Sequence, residues 1–431
     1  MAKNKDIDKW RGLKSLVHDA VDATTELVRE GHESTARSIR RVTDEIEPIK
    51  GPAESVDEIR RRATDGLLSS VKVVNRAVQK VTDLGLDAVQ DSLPPAEAKP
   101  AVPLRSDTMK TAPWLADAAL GVVNAALGDH LAASENALDL SMEFRIDDHY
   151  VPLTKEALQA ALPNPSAKVA LFVHGLATTE WCWVLEAEAY HDDPTVTFGR
   201  LLQKDLGFTP IYVRYNGGRK VAENGRMLCD HLQDLVDAYP VPIEDLTLIG
   251  HSMGGLVARS AGHYATESGH SWPSLVRRAF YLGSPHQGAP LAKLGHALTG
   301  ALQAVDLPAT RITSKILGGR SAGIKDLSEG DIVDETWLHP DPAARKETTT
   351  LLPTARHYFF SATVSKDANN PMGQLIGDLL VRVPSASGPE LKEHQFDIET
   401  QGYGGVMHHQ LQNHPAVYAQ IKRACSGDVS A

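Results

Sequence analysis

The sequence predicts an α/β fold: a mostly parallel sheet with helices on both faces, preceded by a helical N-terminal extension. Three observations carry this. Residues 168–173 (KVALFV) form a nearly uninterrupted apolar run, the mark of a strand buried on both faces. Runs of this kind recur between segments whose apolar residues repeat at helical spacing. Finally, Gly250-His-Ser-Met-Gly254 stands between a short apolar run (246–249) and a helical segment from Leu256, and reads as a sharp strand-to-helix turn.

In chain order, residues 12–47 place Leu13, Leu16, Val17, Ala20, Val21, Leu27, Val28, Ile39 and Val42 on one stripe of a long helix. Pro48 and Gly51-Pro52 end it. A second amphipathic helix follows, with Ile59, Ala63, Leu67, Val71, Val74, Val78, Val81 and Ala88 on one side. The proline-rich stretch from 92 reads as a linker near 92–111. Residues 1–138 are therefore expected as a helical extension and 139–431 as the α/β domain. The N-terminal stripes are expected to pair with each other or pack on that domain; the alternative is peripheral association with a lipid or polymer surface.

From Ser141 the pattern changes. Residues 142–146 and 150–153 alternate around Asp147-Asp148-His149 and predict a hairpin. A short helix (155–162) and the strand 168–173 come next. Helix 197–206, strand 210–214, helix 221–239, the turn at Ser252 and strand 276–282 continue the alternation. After an insertion, 357–361 is a further strand and 396–400 the last.

The net charge of -11 and pI of about 5.9 argue against a nucleic-acid partner. Residues 1–110 hold 19 basic and 19 acidic residues, so the remaining 25 and 36 supply the whole imbalance. Three scattered cysteines make neither a disulfide framework nor a metal knuckle, and fit a reducing, cytoplasmic location. The first residues have no apolar run of the kind a secretory signal needs. The most apolar window, 112–127, includes Asp117 and Asn124 and is short for a membrane span. It predicts a buried or surface-docked helix.

A serine on a strained strand-to-helix turn is exposed for attack, and glycines two residues to either side relieve the crowding. Ser252 is therefore the expected nucleophile. The negative oxygen formed on attacking an ester needs two N–H donors. One is expected from Met253, the other from the loop after strand 168–173, where Leu176 is the first choice and Ala177 the second.

Val173-His-Gly-Leu176, Gly250-His-Ser-Met-Gly254 and Leu282-Gly-Ser-Pro-His-Gln-Gly-Ala-Pro290 together resemble the α/β-hydrolase lipases and esterases. They look closest to the bacterial triacylglycerol-lipase-like and PGAP1-like branch. Gly377-Asp-Leu-Leu-Val381 and Val406-Met-His-His409 are similar to that branch's acid and histidine loops, with Leu379 standing where the family favours a glycine. The resemblance covers roughly 140–424. It implies an α/β-hydrolase fold with a cap or lid at about 286–353, and a triad in the order serine, acid, histidine.

Asp378 is the expected acid and His408 the expected histidine; Asp326 and His409 are the alternates. Trp181, Trp183 and His286 are candidates for the substrate pocket, and aromatic core is the other reading of the tryptophans. Some lipases of the resembling group bind calcium two residues after the catalytic histidine, where this chain has Gln410. No metal and no cofactor is expected. The expected activity is carboxylic ester hydrolysis, on a lipid-like ester, through an acyl-enzyme. A small soluble ester, acyl transfer, and a surface-binding protein acting through its N-terminal helices are the alternatives. The oligomeric state is left open.

Overall fold

A computed structural model describes residues 99–289 except 110 and 137, then 321–334, 351–368, 378, 381–386 and 396–427. The helices expected over 12–47 and 59–88, and most of the cap or lid expected at about 286–353, lie outside the described residues. Among the described residues nine strands form one sheet: β1 (Lys99–Pro100), β2 (Glu143–Ile146), β3 (His149–Tyr150), β4 (Lys168–Val173), β5 (Thr209–Arg214), β6 (Asp245–His251), β7 (Val276–Leu282), β8 (Arg356–Thr363) and β9 (Ile398–Gly404). Their order is β1-β3-β2-β5-β4-β6-β7-β8-β9. The six strands from β5 to β9 are parallel, and β2, β3 and β1 add an antiparallel edge.

The central strands are apolar throughout because both their faces are covered. In β4, Val169, Leu171 and Val173 belong to one core, while Ala170 and Phe172 belong to the other. The first core is closed by Leu228 and Leu232 of α5 (Val221–Ala238) and by Leu256 and Val257 of α6 (Met253–Ser268). The second is closed by Phe198 and Leu202 of α4 (Phe198–Leu206) and by Val417 and Ile421 of α9 (Pro415–Ser426). Burial of each such side chain contributes about 2 kcal/mol. Thr197 caps α4 by accepting the Arg200 N–H, and Gly207 ends that helix at φ 72°.

Two expected boundaries move. β9 continues to Gly404, so residues 402–404, expected in a loop, pair with Ser361–Thr363. As an edge strand with glycines and exposed polar residues, β9 lacks the apolar run that marks the central strands. The stretch 92–111, expected as a linker, supplies β1, which pairs with β3. Helix α1 (Ala112–Ala133), expected in the extension, packs against the sheet domain: Asp117 pairs with Arg214 of β5, and Asn216 donates to the Gly128 carbonyl. Among the described residues no helix is long and apolar enough to cross a membrane.

The strand order also fixes where chemistry can occur. From β4 the chain crosses to β5 on one side, then returns past β4 to β6 on the other. The loop leaving β4 and the turn leaving β6 therefore open over one crevice at the carboxyl edge, the usual binding position in such sheets.

Candidate active site

Ser252 occupies the turn between β6 and α6 at φ 54° and ψ -123°, a conformation side chains rarely adopt. Such strain costs on the order of 1–3 kcal/mol and persists only where neighbours enforce it. Here the Ser252 N–H donates to the Leu282 carbonyl at 2.9 Å and the Gly255 N–H to the Ser252 carbonyl at 3.1 Å. A Cβ on Gly250 would strike Gly254 and Gly255, and one on Gly254 would strike the carbonyls of Val173 and His174. Met253 opens α6, so its N–H has no acceptor within the helix.

His408 begins a short turn (His408–Gln410) after β9. Its Nδ1 lies 2.7 Å from Oδ2 of Asp378, which is almost completely buried. The other carboxylate oxygen accepts the Val381 N–H at 2.8 Å. With Nδ1–H spent on a carboxylate, Nε2 keeps a lone pair facing away from it. A Cβ on Gly283, the residue after Leu282, would lie 3.2 Å from the His408 ring, which places His408 and Ser252 around one turn. Ser252 Oγ and His408 Nε2 do not hydrogen-bond to each other, an opening common in resting sites.

Residues 165–309 match the family of PGAP1-like alpha/beta domains. A lipase of Bacillus licheniformis in its mature form is similar in structure: 18% identical, TM-score 0.40, over 61% of this chain and 94% of that one. An esterase of Pyrococcus furiosus is 15% identical with TM-score 0.38, over 61% and 82%. Naproxen esterase of Bacillus subtilis is 14% identical with TM-score 0.35, over 60% and 83%. No curated protein matches the chain. The fold is that of an α/β-hydrolase, and residues 165–309 are similar to the PGAP1-like alpha/beta domains.

Within this fold, the remaining candidates sit in different places. Gly175 lies beside Ser252: a Cβ there would be 3.1 Å from the Ser252 Cβ. Leu176 and Ala177, just beyond it, pack against the apolar cluster that α1 forms with Ile324. Asp326, in α7 (Ala322–Glu329), accepts the Val221 N–H at 2.7 Å and so caps α5; it does not meet His408. His409 points outward, half exposed and 3.6 Å from Glu186.

His286, expected at the mouth, is instead buried behind the sheet edge between Tyr281 and Phe359, with Arg259 3.0 Å from its Nδ1. The Pro285-His286 turn carries it inward. Trp183 is core, packed on Phe172 and His251, whereas Trp181 is partly exposed and stacks edge-on against Trp114 of α1.

His251 ends β6, directly before Ser252. Its Nε2–H donates to the His408 carbonyl at 3.1 Å, and burial, then His408, holds its pKa well below the ordinary range. It is a neutral prop for the histidine turn. Gln410 closes the same turn by accepting the Met407 N–H at 2.9 Å. No local pattern marks a bond spanning 157 residues.

Among the described residues, Cys229, Asp230 and His270 come within reach of one ion. The thiol is pushed up to about 12 by burial and Asp230, and His270 is already hydrogen-bonded to Asp230 at 3.3 Å. This group lies between α5 and the turn after α6, away from Ser252. A groove of about 1080 Å³ runs between the β2–β3 hairpin and α2 (Lys155–Ala161), and its lining contains none of Ser252, Asp378 or His408.

Proposed function

We infer that the protein is a serine hydrolase that cleaves carboxylic esters through an acyl-enzyme. The observation that carries this reading is the 2.7 Å contact between Asp378 and His408 Nδ1, beside a serine on a strained turn. In the proposed reaction Ser252 Oγ attacks the ester carbonyl while His408 Nε2 takes its proton. The imidazolium is stabilised by Asp378, and the negative oxygen is held by the N–H groups of Met253 and Leu176. Collapse expels the alcohol with the proton returned by His408. Water then repeats the sequence and releases the acid.

The acyl side is proposed to be apolar, so the substrate is a lipid-like ester. Supporting this, Leu176 packs against the apolar cluster of α1 and Ile324, and Trp181 stands edge-on to Trp114. The direct test is Ser252→Ala with a p-nitrophenyl ester: turnover is expected to vanish with the melting temperature unchanged. Substantial residual hydrolysis by the folded variant would remove the nucleophile. A chain-length series, with and without an emulsified interface, separates a lipid-like substrate from a small soluble one.

A further inference from the structure

The loop that carries Leu176 contains the second strained residue of the site. Ala177 stands at φ 62°, as Ser252 does at 54°. A strained turn of this kind holds only when its surroundings over-determine it, and the ties around it can be followed one by one. The Gly175 carbonyl accepts two bonds, from His174 Nδ1–H at 2.8 Å and from Thr178 Oγ–H at 3.0 Å. His174 has its other nitrogen facing the Tyr215 N–H at 3.3 Å, which assigns the proton to Nδ1. Burial lowers its pKa to about 4, so it stays a neutral donor. Because the peptide is trans, the Leu176 N–H points opposite to the Gly175 carbonyl. Whatever fixes that carbonyl therefore fixes the direction of the donor.

The next two residues are fastened to α1 and β5. Thr179 donates to Asp117 at 2.9 Å, and Asp117 takes both Nη groups of Arg214 at 2.6 and 2.8 Å. Glu180 is fully buried and receives Arg214, Arg145 and Tyr150. Burial opposes its charge, but Arg214 and Arg145 hold its carboxyl far below the usual range. Gly121 of α1 touches Thr178 directly: a Cβ there would be 3.2 Å from the Thr178 carbonyl.

We propose that Thr178 and the Asp117–Arg214 pair are positioning groups that hold the Gly175–Leu176 peptide with its N–H toward the oxygen formed at Ser252, making α1 part of the catalytic apparatus. This rests on the serine-hydrolase reading. The Thr178 hydroxyl acts on the peptide itself, and Asp117 acts one step back through Thr179.

A fluorophosphonate probe tests it on the full-length protein without knowledge of the substrate. The Ser252 Oγ–P bond forms, the P–F bond breaks, fluoride leaves and the serine proton passes to His408. The phosphoryl oxygen calls on the same donors as an ester oxyanion. Wild-type and Thr178→Ser are expected to label at similar rates. Thr178→Val and Asp117→Asn are expected to label about tenfold more slowly, with melting temperatures recorded alongside.

Equal rates for Thr178→Val and wild-type would overturn the proposal, as would equal loss in Thr178→Ser and Thr178→Val. If Asp117→Asn does not fold, the Thr178 pair still decides. Absence of any label on wild-type Ser252, read by peptide mass, would instead defeat the parent reading. Retained labelling with unchanged rates in both variants defeats only the positioning role.

Discussion

Two histidines of this molecule are almost equally buried, His408 at 7% exposure and His286 at 6%, yet they are chemically opposite. Behind His408 stands the Asp378 carboxylate, which accepts the Nδ1 proton and leaves a lone pair on Nε2. Behind His286 stands the Arg259 guanidinium, which donates to Nδ1 and forces the proton onto Nε2, where it is buried without an acceptor. Burial, and then Arg259, presses the pKa of His286 well below the ordinary range. The first imidazole takes a proton in the proposed mechanism; the second is arranged to refuse one. Depth in the protein does not make a base. The charge behind the ring does.

The largest effect that can break this contrast is removal of each ring. His408→Ala is expected to lower ester turnover by about 10⁴-fold or more, as loss of the base does in a unit of this kind. His286→Ala, measured per folded molecule, is expected to keep turnover within about threefold. Comparable losses in both variants would erase the distinction.

Asp378→Asn sharpens the contrast by changing only what stands behind the ring. An amide can present an N–H to Nδ1 and reverse the tautomer, giving His408 the proton placement of His286. The expected loss is about 10³- to 10⁴-fold in kcat, with KM little changed. A steady-state comparison on one ester suffices, and a loss below about tenfold would contradict the assigned role of the carboxylate.

Much of this was legible before any coordinates, because the central strands are buried on both faces and announce themselves as apolar runs. The Ser252 turn is likewise local: a strand end, two glycines and a helix start within ten residues. Other features depend on contacts far apart in sequence. β9 has no apolar run, being an edge strand with glycines. Helix α1 reads as a separate apolar segment, and contacts such as the Asp117–Arg214 pair, 97 residues apart, tie it to the sheet domain. His286 follows Pro285 and precedes Gln287 and Gly288, a loop-like neighbourhood that hides its inward turn. Asp326 and Asp378 are equally plausible acids by chain order; only the fold shows that the first is spent on a helix end.

Acid should expose the rings that refuse protons. His174 and His357 are each held at about 4, first by burial, against 6.5 in an open chain. Between those values the unfolded chain binds protons that the folded one does not. Their contribution to stability is thus complete above about 6.5 and is lost as the pH falls toward about 4. Each is worth on the order of 2–3 kcal/mol. Denaturant titrations from pH 7.5 to 4.5 should show the decline, and replacing His357 with Gln should flatten it. An unchanged slope in that variant would mean that His357 is protonated in the fold.

His286→Ala is then expected to cost about 1–3 kcal/mol in the same measurement, because the buried guanidinium loses an acceptor. Smallest of all is the effect at His409, one residue beyond the proposed base. Its ring is 46% exposed and its nearest carboxylate, Glu186, is 3.6 Å away and 37% exposed. A solvated pair of that kind is worth about 0–1 kcal/mol. His409→Ala should therefore leave turnover within about twofold and stability almost unmoved. The neighbours differ because the turn sends one ring toward Asp378 and the next into water. If His409→Ala abolished activity while His408→Ala did not, the turn would have to slip by one residue in the working enzyme. The bond between His251 and the His408 carbonyl opposes that slip.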